Sequence, residues 1–282
     1  MRVSELNFYP LKSGRGIALQ EAEIAPEGIP GDRRMMLTDP SGHFITQREL
    51  QALAQVEVTP QGESVRIAIA GKGEIISALP PADRRMDVDV WKSIVSAAVA
   101  DDETNATLSG WLGREVRLVH FDAVAERTAS AEWAGPASPV TFADGYQVLV
   151  TTTGSLAGLN ANMKAHGEDA VGMERFRPNI VLDHDEPFAE DMWEGIEIAG
   201  IRFDFVKPCA RCIMTTQDQA SGSRDAPNPM PAMGRIRMSA DRRVPGVLFG
   251  WNAVPRSTGL IRIGDMATVT GERDAWPLKR RA

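Results

Sequence analysis

Residues 205–218, FVKPCARCIMTTQD, contain both cysteines of this 282-residue chain, Cys209 and Cys212. Chemistry that needs sulfur must therefore take place in this stretch. A thiol acts as a nucleophile or as a ligand of a soft metal only when it is ionised, and a nearby cation favours the thiolate. Lys207 and Arg211 supply such cations in the sequence. The stretch therefore favours reactive sulfur.

The CxxC spacing alone leaves four interpretations open. The two cysteines can form a structural disulfide, although so short a loop adds little stability. A zinc site needs about four ligands, and the sequence places no second cysteine pair or histidine nearby. The thiols can also be inert in a core, or reactive. Residues 213–216 have a strand-like composition, so the cysteines are predicted to lie on a turn that enters a strand.

The composition is that of a globular protein from a reducing compartment. Hydrophobic residues make up 43% of the chain, enough for a substantial core. The formal charge of −7 argues against nonspecific binding to nucleic acid or anionic lipid, which needs a basic face. The N-terminus lacks the apolar segment of a signal peptide, and no apolar run is long enough to span a bilayer. We therefore predict a cytoplasmic protein that binds neither nucleic acid nor membrane.

Short alternating segments predict an α+β fold that is predominantly β. Strands are predicted at 3–9, 19–25, 35–38, 43–47, 56–60, 64–70, 74–77, 84–90, 116–121, 147–152, 180–183, 197–206 (a pair), 247–252, 260–262 and 266–270. Helices are predicted from about residue 49, at 101–111 with Asp101 or Asp102 as cap and Gly113 as stop, and at 156–166. The first strands are predicted to form a small β-rich domain that closes near Pro80 or Pro81.

Two segments have the composition of an anion site. Residues 10–16 form a turn that contains Lys12, Ser13 and two glycines, and charged donors beside exposed backbone amides suit a phosphate. A solvated basic turn is the alternative. Residues 152–155, Thr-Thr-Gly-Ser, precede a predicted helix whose first amides favour an anion, although the segment taken alone favours a plain helix cap. Neither segment matches a nucleotide-binding glycine motif.

Other polar segments are assigned to loops and surfaces. Arg177 precedes a proline, so its backbone is predicted to be extended at a strand entrance. Residues 183–194 are predicted to be a solvated acidic loop, including Glu190 and Asp191. Residues 218–244 lack periodicity, which is typical of a lid over a site or of a disordered segment.

Seven segments, in this order, give the chain a resemblance to the MOSC family, in the branch that contains the amidoxime-reducing components and their bacterial relatives. The segments are YPLKS (9–13), GDRR (31–34), TQR (46–48), TTGSLAGLN (152–160), FRPNIV (176–181), CARCIMTT (209–216) and LFGWN (248–252). The resemblance implies an N-terminal β-barrel domain at 1–85, a connection at 86–100, a MOSC β-barrel domain with flanking helices at 101–275, and a tail at 276–282.

The resemblance also implies a molybdenum cofactor of the molybdopterin type. In that family the second cysteine of the CxRC motif is the molybdenum ligand, which assigns the metal and catalytic role to Cys212. A soft metal suits a cysteine sulfur, whereas the phosphate of the cofactor calls for hard donors and positive charge. The implied cofactor-binding residues are Lys12, Ser13, Arg33, Thr152, Ser155, Arg177, Asn179, Arg211 and Asn252.

The implied reaction is the two-electron reduction of a small N-oxygenated or N-hydroxylated compound. Arg48 and the loop 218–244 are candidates for shaping the substrate mouth, and Asn252 stands where the amidoxime-reducing branch has a tyrosine. The chain lacks the extra cysteines of a C-terminal iron–sulfur domain and the anchor of mitochondrial relatives. Electrons are therefore expected from a separate ferredoxin- or cytochrome b5-like protein. The alternative is a protein that carries the molybdenum cofactor or persulfide sulfur.

Overall fold

The computed structural model describes residues 1–279, and β-strands dominate it. The predicted α+β, mainly β fold class is confirmed. The strands before the first helix are β1 (Arg2–Phe8), β2 (Ile17–Leu19), β3 (Glu21–Ile24), β4 (Met35–Thr38), β5 (Val56–Gln61), β6 (Ser64–Ile69), β7 (Gly73–Ala78), β8 (Arg85–Val90) and β9 (Ser93–Val99). The later strands are β10 (Arg117–His120), β11 (Val148–Thr152), β12 (Ile180–Asp183), β13 (Trp193–Ile198), β14 (Ile201–Arg211), β15 (Val247–Pro255), β16 (Gly259–Arg262) and β17 (Ala267–Glu272).

An eight-stranded sheet forms the larger core, in the order β17-β13-β14-β15-β11-β12-β1-β2. The first strand of the chain lies inside this sheet, because β1 pairs antiparallel with β12 on one side and β2 on the other. Strand β12 is apolar on both faces, and Ile180, Val181 and Leu182 are fully buried. The loop that follows β1 is therefore held at the edge of the sheet formed mainly by the second half of the chain.

Three smaller sheets have the orders β4-β10-β9-β8, β5-β6-β7 and β16-β3, and the last of them contributes Ala22, Ile24 and Ile261 to the core of the large sheet. The first two of these surround a core of alternating apolar residues that includes Val56, Val58, Val65 and Ile67. The division at residues 85 and 100 stays a prediction, and strand pairing crosses it: β9 pairs with β8 and β10. The tail 276–282 extends beyond the described residues, but Trp276 donates its indole N–H to Ser239 at 3.1 Å.

The α-helices of residues 1–279 are α1 (Asp102–Leu112), α2 (Ala131–Ala134), α3 (Thr153–Ala165) and α4 (Met230–Ile236). Helix α1 has the predicted ends: the Asp101 carboxylate accepts the amide of Thr104 at 2.7 Å, and Gly113 is left-handed. Two predictions of secondary structure in the first half of the chain were wrong. Residues 43–47 form only an isolated bridge, and a short 3₁₀ helix, Gln51–Gln55, replaces the helix predicted from residue 49.

Helix α4 lies within residues 218–244, the segment that the sequence predicted to be a lid or disordered, and packs against β15 and the large sheet. None of the helices in the described part of the chain is long and apolar enough to cross a membrane.

Candidate functional site

A cleft lies where the loop after β1 and the residues around Arg48 meet the large sheet, so both halves of the chain line it. Its cations are Lys12, Arg33, Arg48, Arg175, Arg177 and Arg211, and its carboxylate is Asp144. Both cysteines line it, as do Ser13, Asn179 and Asn252. Such an excess of positive charge in a chain of net charge −7 marks the cleft as an anion site.

Strand β14 delivers the cysteines to the cleft. Cys209 lies within the strand, beside an irregularity in its pairing with β15 that accommodates Pro208. Cys212 follows the last residue of the strand, and residues Ile213–Thr216 then form a 3₁₀ helix. The predicted strand at 213–216 was wrong because Thr215 donates its hydroxyl and its amide to the Cys212 carbonyl, at 3.0 and 3.1 Å. The sulfur ligand candidate therefore lies at a turn that leaves the strand.

Arginines, and not Lys207, contact the two sulfurs. Arg211 donates to the Cys209 Sγ at 2.9 Å, and Arg48 donates to the Cys212 Sγ at 3.4 Å. Lys207 instead places its ammonium 5.0 Å from the ring centre of Trp133, so its predicted place beside both sulfurs was wrong. Lys207 and Cys209 are two residues apart, so in a regular strand their side chains would lie on the same face. The irregularity in the pairing near Pro208 interrupts this alternation. Both thiols are free.

Lys12 is buried at the base of the cleft. Its ammonium donates to Asp144 at 2.5 Å and to the Phe142 carbonyl at 2.8 Å. Burial lowers the pKa of Lys12, and the Asp144 carboxylate opposes that shift. Asp144 itself is largely exposed toward the mouth of the cleft. A buried ammonium held by one exposed carboxylate remains available to a second anion that enters the cleft.

Arg33 and Arg177 both lie against the ring of one tyrosine. Their guanidinium carbons lie 4.2 and 4.3 Å from the ring centre of Tyr9. Burial raises the pKa of Tyr9 to about 12, which keeps the ring neutral, and burial lowers the pKa of Arg177 to about 10. The π-face of the ring attracts both cations and offsets part of their mutual repulsion. Arg33 also bonds the carboxylate of Asp32.

The backbone of Arg177 departs from its prediction. Its φ is +54°, in the left-handed region, whereas the following proline predicted an extended residue. The Arg177 amide donates to the Glu174 carbonyl at 3.3 Å, which closes a tight turn after the 3₁₀ helix Met173–Arg175. The same turn directs the guanidinium to the Gly14 carbonyl at 2.7 Å. Strain of this kind persists where the surroundings hold it, and it is concentrated at functional sites.

The two asparagines of the site tie its strands together. Asn179 accepts from Arg33 at 3.0 Å and from the Leu149 amide at 3.2 Å, and it donates to the Asn7 carbonyl at 3.2 Å. Asn252 donates to the Lys207 carbonyl at 3.2 Å across the pairing of β14 and β15. Both side-chain amides line the cleft and also form hydrogen bonds that connect its strands.

Thr152 and Ser155 do not reach the cleft. The Thr152 hydroxyl caps α3 by accepting the Ser155 amide, and both hydroxyls donate to the carboxylate of Glu190, at 3.1 Å from Thr152 and 2.7 Å from Ser155. The anion at this helix terminus is therefore the protein's own Glu190. Glu190 and Asp191 are buried, so the prediction of a solvated acidic loop was wrong for both. Asp191 forms two bonds with Arg237 and accepts the indole N–H of Trp251 at 2.9 Å.

Burial raises the pKa of Glu190, and hydrogen bonds from Ser155 oppose the shift. A folded-state pKa above the unfolded value means that the folded state binds the proton more tightly. This carboxyl therefore stabilises the fold fully below its ordinary pKa of 4.5, and the contribution is lost as pH rises through the folded pKa. Glu190→Gln is expected to flatten the dependence of the free energy of unfolding on pH above 4.5, measured by urea unfolding.

The matched control for that variant is Glu197→Gln, which removes an exposed carboxylate from β13. It is expected to leave the pH profile parallel to that of the wild-type protein. A Glu190→Gln profile that also stays parallel would contradict the role given to the buried carboxyl.

Three guanidiniums of the cleft retain buried N–H groups with no hydrogen-bond partner within residues 1–279: Arg175 Nε, Arg177 Nη2 and Arg211 Nε. A buried donor without an acceptor is costly, which points to an anionic ligand that satisfies these groups. A half-buried sulfur, clustered cations and unsatisfied donors together fit a group that contains both a soft metal and a phosphate.

Sequence reasoning did not identify Arg175 and Asp144 as part of the site. Arg175 is two residues from Arg177, yet its donors reach the Thr215 and Pro227 carbonyls on a distant segment, at 3.4 and 3.2 Å. Asp144 belongs to no motif, and its place is revealed by contacts with residues distant in sequence, such as Lys12. Both assignments depend on contacts between remote segments, which no local pattern encodes.

Comparisons with known proteins agree with this architecture. Residues 1–115 match the MOSC N-terminal beta barrel domain, and residues 137–268 match the MOSC domain. The chain is 27% identical over 277 residues to mitochondrial amidoxime-reducing component 1 of Danio rerio, covering 93% of this chain and 83% of the relative. It is 26% identical over 284 residues to component 1 of Homo sapiens, covering 96% of this chain and 83% of the relative. It is also 27% identical over 277 residues to component 2 of Bos taurus, covering 93% and 81%.

The two matches account for both parts of the fold, with the cation-bearing loop after β1 inside the first and both cysteines inside the second. Residues of both matched regions therefore line the cleft. The chain belongs to the MOSC family, in the branch that carries an N-terminal β-barrel domain ahead of the MOSC domain.

Proposed function

We propose that this protein is a molybdenum-cofactor-dependent reductase of N-hydroxylated compounds, with Cys212 as the metal ligand. The observation that carries the proposal is the convergence of the Cys212 sulfur and six cations in one cleft. The relatives are named amidoxime-reducing components, and that name supplies the substrate class. When bound, the cofactor supplies two electrons for reduction of an N–O bond.

Cys212 is preferred to Cys209 as the ligand because of their neighbours. The Arg211 guanidinium already contacts the Cys209 sulfur at 2.9 Å. The Cys212 sulfur is at the end of β14, and its contact with Arg48, at 3.4 Å, is longer. This longer contact leaves the lone pairs of the Cys212 sulfur more available to a metal.

The anionic part of the cofactor is assigned to the cations and amides that surround the loop after β1. We propose that Lys12, Ser13, Arg33, Arg177 and Arg211 bind it, with Asn179 and Asn252 lining the cleft. Ser13 has a φ of +63°, which turns the chain tightly between Lys12 and Gly14. Thr152 and Ser155 are not part of this proposal, because Glu190 already occupies their hydroxyls.

The proposed reaction consumes protons as well as electrons. Reduction of an amidoxime takes up two electrons and two protons and yields an amidine and water. A separate ferredoxin- or cytochrome b5-like protein is proposed to supply the electrons, within the cytoplasm.

The test is reduction of benzamidoxime and of 6-hydroxylaminopurine by molybdenum-loaded protein with an artificial electron donor. Product formation from at least one compound is expected, and the same protein made in a host that lacks the cofactor is expected to be inactive. If molybdenum-loaded protein reduces neither compound, the reductase proposal fails. A labile sulfur released by cyanide, with little molybdenum bound, would favour the carrier alternative.

A further inference from the structure

Trp91 is at the tip of the hairpin between β8 and β9, where it contacts Arg48 and Asp144, two residues that line the cleft. Val90 pairs with Ser93, so Trp91 and Lys92 form a two-residue turn. Trp91 has a φ of +59°, a conformation for which glycine is the usual residue in such turns. Its side chain is 43% exposed. A large aromatic residue thus occupies a strained, solvent-exposed position whose backbone conformation favours glycine.

Two residues of the cleft contact this indole. Its N–H donates to Asp144 Oδ1 at 3.3 Å, and the Arg48 guanidinium carbon lies 4.7 Å from the ring centre. Arg48 also donates to the Cys212 Sγ at 3.4 Å. The same guanidinium therefore touches both the indole and the sulfur assigned to the metal. Phe44, whose ring centre is 5.3 Å away, supports the indole from the side.

We propose that Trp91, oriented by Arg48 and Asp144, is a stacking surface that gives the reductase a preference for N-hydroxylated groups on planar aromatic rings. The inference rests on the proposed function and adds the residue that selects the substrate. A planar substrate ring gains stacking energy on an exposed indole, whatever hydrogen-bonding groups the ring carries. An aliphatic compound with the same reacting group gains little from it.

The indole lies outside the core cluster to which the hairpin contributes. Its neighbour Ile94 on β9 is also exposed, while the apolar residues Val88, Val90 and Val95 of the same hairpin are fully buried. The hairpin therefore retains its core contacts without Trp91. Trp91→Gly relieves the left-handed strain and is expected to fold, so loss of binding in this variant reports on the indole itself.

The experiment compares benzamidoxime with acetamidoxime, which carries the same reacting group without the ring. Affinities are measured by calorimetry with the oxidised holoprotein and no electron donor. Trp91→Gly is expected to weaken benzamidoxime binding about tenfold, at the lower end of what stacking on an aromatic side chain is worth. Its affinity for acetamidoxime is expected to stay unchanged. Trp91→Phe retains a stacking surface and is expected to keep most of the benzamidoxime affinity.

Fluorescence provides an independent readout. Benzamidoxime is expected to quench the tryptophan emission of the wild-type protein and of Trp111→Phe, whose indole is on α1 and outside the cleft. Trp91→Phe is expected to lose most of the quenching while it still binds the compound. Quenching that persists in Trp91→Phe would overturn the inference.

Three other results would overturn it as well: Trp91→Gly binding benzamidoxime as tightly as the wild type, equal losses for both amidoximes, or wild-type protein binding neither. Failure of the proposed function is distinguishable from these results. In that case molybdenum-loaded protein would bind benzamidoxime but reduce neither benzamidoxime nor 6-hydroxylaminopurine.

Discussion

Cys212→Ser is expected to abolish amidoxime reduction and to leave the purified protein with little molybdenum. Serine offers a hard oxygen with a high pKa in place of a soft thiolate, so the main protein bond to the metal is lost. The activity loss should exceed about 100-fold, because changes to residues that merely support a metal ligand already cost about 10–100-fold. Metal analysis and turnover with an artificial donor measure the two effects separately.

Cys209→Ser is the matched control, since it makes the same change three residues away on β14. It is expected to retain the metal and to lose no more than about tenfold in activity, the lower limit for disturbing a neighbour of a ligand. Loss of molybdenum in Cys209→Ser together with its retention in Cys212→Ser would reverse the assignment of the two cysteines.

Arg237→Met is expected to lower the free energy of unfolding by about 3–5 kcal/mol, because breaking a buried ion pair leaves an uncompensated charge. The side chains of Arg237 and Asp191 are only 4% and 7% exposed. Arg237 is the charged partner of Asp191, whose other bond is to the neutral indole of Trp251. Methionine fills much of the vacated space but provides no donor for the carboxylate. Chemical unfolding followed by circular dichroism measures the difference.

Arg262→Met is the control for that prediction. The Arg262–Glu21 pair has the same chemistry, but each side chain is 57% exposed. Its loss is expected to cost less than about 1 kcal/mol, as for other exposed pairs. Equal effects of the two variants would mean that the buried pair contributes no more than a surface one. A rescue of Arg237→Met by a second change, Asp191→Asn, would support the role of the unpaired carboxylate.

Local patterns in the sequence were sufficient for most of the scaffold. The alternation in residues 56–60 and 64–70 predicted β5 and β6, because one face of that sheet packs on the core and the other faces solvent. The ends of α1 were predicted because its cap, Asp101, and its stop, Gly113, act within a few residues. The family motifs supplied the candidate residues of the site, and the structure brings seven of the cofactor-binding set into one cleft.

Long-range contacts explain what the sequence did not reveal. Glu190 and Asp191 resemble surface residues until α3 and Arg237 provide partners that permit their burial. Thr215 and Thr216 favour strands by composition, yet their hydroxyls bond carbonyls three residues back and close a turn. Arg177 takes a left-handed backbone because contacts with remote segments hold it there. For Glu190, Asp191 and Arg177 the residue that fixes the structure is distant in sequence. For the two threonines a side-chain hydrogen bond competes with their preference for a strand.

The most direct test of the account locates the metal itself. Diffraction data from crystals of the molybdenum-loaded protein, collected above the molybdenum absorption edge, place the metal by its anomalous signal. The expected result is a single peak within bonding distance of the Cys212 sulfur, with the phosphate of its cofactor bound among Lys12, Arg33 and Arg177. A peak remote from Cys212, or a phosphate on another face of the protein, would contradict the account.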